Sequence, residues 1–170
     1  MIELLILYEL SKKVLTMYGI SKEIKAEFSV LTIPSYGTIK PALNRLEKLD
    51  CVRTQKTMST GGRPSTYYSI TSAGEKKFVD LLLATPVENP IQFLPTSRVR
   101  LVCAEGLDAS EQKYLFKILK LKAESIALDI KKIQENKNLS FYQTMMFDNL
   151  VCEYKNFISL LEGFERGCKD

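Results

Sequence analysis

The sequence predicts a mostly α-helical chain with one small β-wing, on three observations. Ile39, Ala42, Leu43, Leu46 and Leu49 recur at helical spacing. Two strand-like runs follow at once, Val52 to Met58 and Thr66 to Ile70, separated by a loop from Ser59 to Ser65 that contains Gly61-Gly62. The last third then carries two long apolar stripes at heptad-like steps. Helix, hairpin and a further capped helix make the order of a winged helix-turn-helix, and the two stripes predict an antiparallel helical pair behind it.

The elements follow in order. Ile2 to Leu10 is apolar but too short to span a bilayer, is interrupted by Glu3 and Glu9, and has no basic segment before it. No signal peptide or membrane anchor is expected, and a cytoplasmic location is. In the run Ser35 to Leu46, with the apolar stripe turned to a core, Gly37, Pro41, Asn44 and Lys48 point away from it, flanked by Thr38, Lys40 and Arg45. That face is small or cationic. Gly37 allows close approach of backbone to phosphate, and Asn and Arg reach base edges. Alone, it reads more readily as an ordinary amphipathic surface helix. The hairpin favours nucleic acid: its loop exceeds a minimal turn, so it projects, with Arg63 at the tip and Arg53 and Lys56 on the approaching strand. Thr71 or Ser72 starts the next helix, the latter with Glu75 as a capping box.

Pro86, Asn89, Pro90 and Pro95 predict a stiff, extended linker, with a short helix from roughly Ser97 to Ala104. Asp108 to Glu111 reads as the capped start of a long helix in which Phe116, Leu119, Ala123, Ile126, Ile130 and Ile133 form the stripe. A polar turn at Asn136 to Asn138 leads to a last helix, about Phe141 to Glu165, with Phe147, Leu150, Tyr154, Phe157, Leu161 and Phe164. Apolar residues outside the stripes, among them Leu115, Leu121, Leu128, Met145, Met146, Val151 and Leu160, exceed what two helices can cover. They call for a second surface, either the winged domain or a second copy. The expected divisions are a winged domain over 1–85, a linker over 86–107 and a helical dimerisation domain over 108–170.

Charge is uneven. Residues 1–80 hold 12 Lys and Arg against 8 Asp and Glu, whereas residues 81–170 hold 12 of each. The whole +4 excess lies in the half with the helix and wing, as an anion-binding module requires. Cys51, Cys103, Cys152 and Cys168 are scattered, and the chain has no His. A zinc site of the usual spacing is therefore not expected, nor any other metal or cofactor. The thiols read as reduced, with Cys168 near the terminus the one most open to redox chemistry. Without His there is no common general base, and no Gly-rich phosphate loop opens a helix, so no enzyme is expected.

Tyr36-Gly37-Thr38-Ile39-Lys40-Pro41-Ala42-Leu43-Asn44-Arg45-Leu46-Glu47-Lys48-Leu49, followed by Gly62-Arg63-Pro64-Ser65-Thr66-Tyr67-Tyr68 and Gly74, resembles the PadR family of bacterial transcription regulators. The earlier Met17-Tyr18-Gly19-Ile20-Ser21-Lys22-Glu23-Ile24 is similar to that family's second-helix motif. Lys40 stands where the family commonly has Tyr, which favours a phosphate contact there over an aromatic base contact.

The resemblance and the residues together lead to a sequence-specific regulator of double-stranded DNA, a repressor acting as a homodimer on a pseudo-palindromic operator. Thr38, Asn44 and Arg45 are the expected base-proximal contacts. Ser35, Tyr36, Lys40, Lys48 and Lys56 are expected at phosphates, and Arg63, Ser65 and Thr66 in the wing. In the family the last region and the first helix build the dimer, which implies Leu4, Leu7, Phe147, Leu150, Tyr154, Phe157, Leu161 and Phe164 as dimer contacts. Family members commonly release DNA on binding small aromatic or amphipathic molecules, so an effector pocket lined by Phe93, Tyr114, Phe141, Met145, Met146 and Phe147 is a second expectation. A protein-docking module without DNA binding is the third.

Overall fold

The computed structural model describes residues 1–58, 64–135 and 137–167. Arg63, Cys168 and Asn136 of the polar turn lie outside them. Ten elements succeed one another: α1 (Ile2–Lys12), β1 (Leu15–Thr16), α2 (Met17–Phe28), α3 (Tyr36–Lys48), β2 (Val52–Met58), β3 (Pro64–Ile70), α4 (Ser72–Leu83), α5 (Pro90–Cys103), α6 (Ala109–Glu135) and α7 (Phe141–Gly167). A single 3-10 turn, Ala104–Gly106, follows α5. Two compact units emerge, Met1–Ala84 with Leu94–Gly106, and Thr85–Phe93 with Leu107–Asp170. Among the described residues no helix is long and apolar enough to cross a membrane.

In the first unit α1 is the central helix, packed on α2, α3, α4 and β3. Leu5, Ile6 and Leu7 are fully buried there with Ile20, Ile24, Phe28, Ile39, Leu43, Leu46 and Leu82. Tyr8 meets Phe28 edge-on at 5.6 Å and stacks on Phe78 at 6.3 Å. The expected dimer residues Leu4 and Leu7 belong to this core, at 3% and 0% exposure. α1 is apolar nearly all round because its own chain surrounds it, and these two side chains have no surface to offer a second copy.

The sheet has the order β1-β3-β2, with both pairs antiparallel. β3 begins at Pro64, two residues before the sequence suggests, at an end position where the missing N–H costs little. The third strand, Leu15–Thr16 against Tyr68 and Tyr67, is too short to carry a periodic signal.

α3 ends in a Schellman motif. The amide of Cys51 donates to Leu46 O (2.9 Å) and that of Asp50 to Glu47 O (3.0 Å), with Asp50 at φ 54° in the left-handed position usually held by glycine. Leu49 is thus the C-cap and 58% exposed, not the last member of the buried stripe. Thr71 caps α4: its hydroxyl accepts from Gly74 N at 3.1 Å and donates to Asp50 O at 2.5 Å. A Cβ on Gly74 would stand 2.1 Å from Cys51 O and 2.7 Å from Ile70 Cγ1, so only glycine lets α4 approach the start of β2.

α5 differs from the expected linker. It is a 14-residue helix, beginning seven residues before Ser97. Asn89 Oδ1 accepts from Ile91 N at 2.9 Å, Pro90 takes the first helical position where its absent N–H is no loss, and Pro95 forfeits one bond early in the helix. Further along, buried Arg100 donates to the carbonyls of Leu82 and Ala84 at the end of α4. Burial holds its guanidinium down to about 10.

In the second unit α6 and α7 pair antiparallel, with Phe116 stacked on Phe164 at 5.5 Å, Lys120 on Glu162 at 2.7 Å and Gln134 on Asp148 at 2.9 Å. Asp108 and Glu111 form the expected reciprocal cap (2.8 and 3.0 Å), and Ser140 with Gln143 repeats it at α7. Phe116, Leu119, Ala123, Ile126 and Ile130 are buried with Tyr154, Phe157 and Leu161, as are Leu115 and Val151 from outside the stripes. Leu121, Leu128, Met145, Met146, Leu160 and Phe164 remain exposed.

Candidate nucleic-acid interface

The outward face of α3 is built by its own amphipathicity. With Ile39, Ala42, Leu43 and Leu46 buried, Gly37, Thr38, Lys40, Pro41, Asn44, Arg45 and Lys48 are all exposed. Ser35 is the N-cap residue, yet its side chain makes no cap bond. The first turn is closed by Thr38, whose amide and hydroxyl donate to Ser35 O at 3.0 and 2.8 Å. Tyr36 stands 47% exposed at the helix start. The first turn also carries the positive end of the helix dipole, a setting suited to phosphate.

Lys40, Lys48, Lys56 and Arg53 have no ion pair among the described residues, and the Asn44 amide has no hydrogen-bond partner there. Arg45 differs: its Nε lies 2.8 Å from Glu3 Oε1 of α1, although the guanidinium is 55% exposed. That partner is 42 residues away, and no spacing within α3 discloses it.

Helix and wing meet in one groove of about 460 Å³, lined by Lys40 of α3, Ser65, Thr66 and Tyr68 of β3, and Thr16, Met17 and Tyr18 at the start of α2. Ser65 and Thr66 are half-buried, opposite Thr57 and Lys56 of β2. Burial, then Glu47 and Tyr36, pushes the Tyr68 phenol up. Thr16, Met17, Tyr18 and Tyr68 line this groove without being among the expected contacts; Tyr18 is 70% exposed, and its place in the second-helix motif is the signal that points to it. The structure thus brings Lys40, Ser65 and Thr66 together, sets Asn44, Arg45 and Lys48 further along α3, and leaves Lys56 exposed on β2.

An exposed, cation-bearing helix seated beside a β-wing, with a buried stripe behind it, defines the winged helix-turn-helix class. Residues 6–80 match the family model described as the Transcriptional regulator PadR-like family. A PadR-like transcriptional regulator from Bacillus cereus is 31% identical over 45% of this chain and 72% of its own, with a TM-score of 0.39. The chain belongs to the PadR-like family of transcriptional regulators, and is not an enzyme. It is also similar to Bacillus subtilis PadR in complex with operator DNA (20% identity, 98% of each chain, TM-score 0.45). A second structure of that protein, with p-coumaric acid, is 19% identical over 99% of this chain and 96% of its own, at a TM-score of 0.43. No curated protein matches the chain.

Proposed function

We propose that this chain is a sequence-specific regulator of double-stranded DNA, acting in the cytoplasm as a homodimeric repressor at a pseudo-palindromic operator. The observation that carries this reading is the shared groove in which Lys40 of α3 adjoins Ser65 and Thr66 of the wing, with exposed Lys48 further along α3 and exposed Lys56 on β2. α3 enters the major groove, where Asn44 suits a bidentate contact to adenine and Thr38 lies near the bases. Lys40, Lys48, Lys56, Ser35 and Tyr36 hold phosphates, and the wing, with Arg63, reads the minor groove. Residues 108–170 supply the dimer contacts through the apolar residues that α6 and α7 leave exposed, Phe164 among them. The test is titration of operator and random duplexes at several salt concentrations. Log affinity should fall linearly with log salt, at roughly 0.9 per phosphate contacted. A salt-independent affinity, or none for DNA, points instead to a protein-docking module.

A second reading, release of DNA by a small amphipathic molecule, is favoured by a cavity of about 380 Å³ in the second unit. It is lined by Pro90, Ile91, Ile126, Ile130, Leu150 and Tyr154, with Lys122 and Glu88 at its polar side. Its walls are not the expected ones. Phe141, Met145 and Met146 are exposed instead, and Phe93 stacks on Tyr154 and Phe157 in the core.

A further inference from the structure

Glu9 sits on α1 with 0% of its surface exposed, and neither carboxylate oxygen has a hydrogen-bond partner among the described residues. Opposite it, Glu23 and Glu27 stand one turn apart on α2, and one oxygen from each of the three carboxylates lies within 4.8 Å of the others. Three oxygens held evenly by one calcium-sized ion at about 2.3–2.6 Å are about 4.0–4.5 Å apart, so small side-chain rotations bring this trio to the spacing a single ion needs.

The lysines do not complete this cluster. Lys12 Nζ lies 2.9 and 2.7 Å from the two Glu27 oxygens and 3.8 Å from the centre of the Tyr8 ring, Lys13 Nζ lies 3.0 Å from Glu23, and Glu9 is left without a hydrogen-bond partner among the described residues. Both ammonium groups are partly exposed on flexible stems and can swing into water. Glu9 is thus a buried carboxylate with both oxygens unpartnered among the described residues. A proton there would remove the charge yet leave both oxygens unpartnered, whereas a cation answers both deficits.

We propose that Glu9, Glu23 and Glu27 form a binding site for a hard, oxygen-preferring divalent cation of the Mn2+, Ca2+ or Mg2+ class. The donor set is entirely carboxylate, which selects against soft, thiolate-seeking ions. Cys and His spacing could not disclose such a site, because its ligands come from two helices and include neither residue.

Mn2+ added to the full-length chain in chelator-stripped buffer at neutral pH tests it, since the electron paramagnetic resonance signal of free Mn2+ falls as the ion binds. One Mn2+ per chain is expected, with a dissociation constant of about 10⁻⁴ M or tighter. Glu9→Gln and Glu27→Gln should each weaken it at least tenfold, because losing even an outer partner of a ligand costs about 10–100-fold. Glu124→Gln, exposed on α6, should leave it unchanged. Absence of binding at millimolar Mn2+, or equal binding by the parent and Glu9→Gln, overturns the proposal. Should Glu9→Gln fail to fold, Glu27→Gln at its exposed position decides the matter in the same way.

Discussion

Glu3 of α1 holds Arg45 of α3 through a 2.8 Å contact between Oε1 and Nε. In the proposed complex this pair would compete with DNA for the guanidinium. An exposed pair of this kind contributes about 0–1 kcal/mol, so Glu3→Gln should leave stability nearly unchanged and raise DNA affinity by up to about fivefold. Melting curves and duplex titrations measure the two effects. Unchanged affinity means that Arg45 does not reach DNA.

Asn44 and Lys40 should fail in different ways. Asn44→Ala is expected to cost about 1–3 kcal/mol on the operator and much less on random DNA, flattening the specificity ratio. Lys40→Ala should weaken both duplexes and make the salt slope shallower by about one unit. Fluorescence anisotropy at several salt concentrations separates the two. Arg63→Ala is expected to follow the Lys40 pattern.

Asp50 occupies a left-handed position that L side chains adopt at a cost. Asp50→Gly should therefore stabilise the chain by about 0.5–1 kcal/mol, read as a higher melting temperature with DNA affinity unchanged. A lower melting temperature would show that Asp50 makes a compensating contact.

At Gly74 the direction reverses. Gly74→Ala drives a Cβ to 2.1 Å from a backbone oxygen that cannot move aside, so a loss of about 3 kcal/mol or more is expected. Denaturant melts check it, and a loss under 1 kcal/mol would contradict the packing described for α4.

Light scattering at micromolar concentration should return twice the chain mass. The double substitution Leu128→Lys and Leu160→Lys should shift it towards the monomer, because both side chains stand about half exposed, where a lysine ammonium can reach water in the monomer but not in a dry interface. Operator affinity should fall with it. A monomer mass for the parent protein would remove the homodimer from the proposed function.

The α3 stripe, the hairpin, the Asp108–Glu111 cap and the α6–α7 pairing are legible in the sequence because each is a local periodicity or a fixed spacing. Features set by tertiary packing are not. Leu49 continues the period but meets the Schellman turn, and Pro95 reads as a breaker yet lies inside α5, which forgoes one backbone bond there. β1 is two residues whose pairing is decided by β3. At the interface, the exposed face of α3 follows from its own spacing, whereas the Glu3 restraint on Arg45 and the nearness of Tyr18 to Lys40 join separate elements. Glu9 is the clearest case, since on sequence it is merely a charge interrupting an apolar helix.

β2 lies at the end of the sheet order β1-β3-β2, so one side of its seven-residue backbone finds no strand partner in the sheet. Such an open edge is a template on which another molecule's strand can grow, and lysine or arginine placed along it is a common guard against aggregation. Arg53 and Lys56, exposed along this strand, are placed to act as such a guard. Neutralising both would bare the template, and a loss of operator binding in that variant carries meaning only beside a measurement of its particle size.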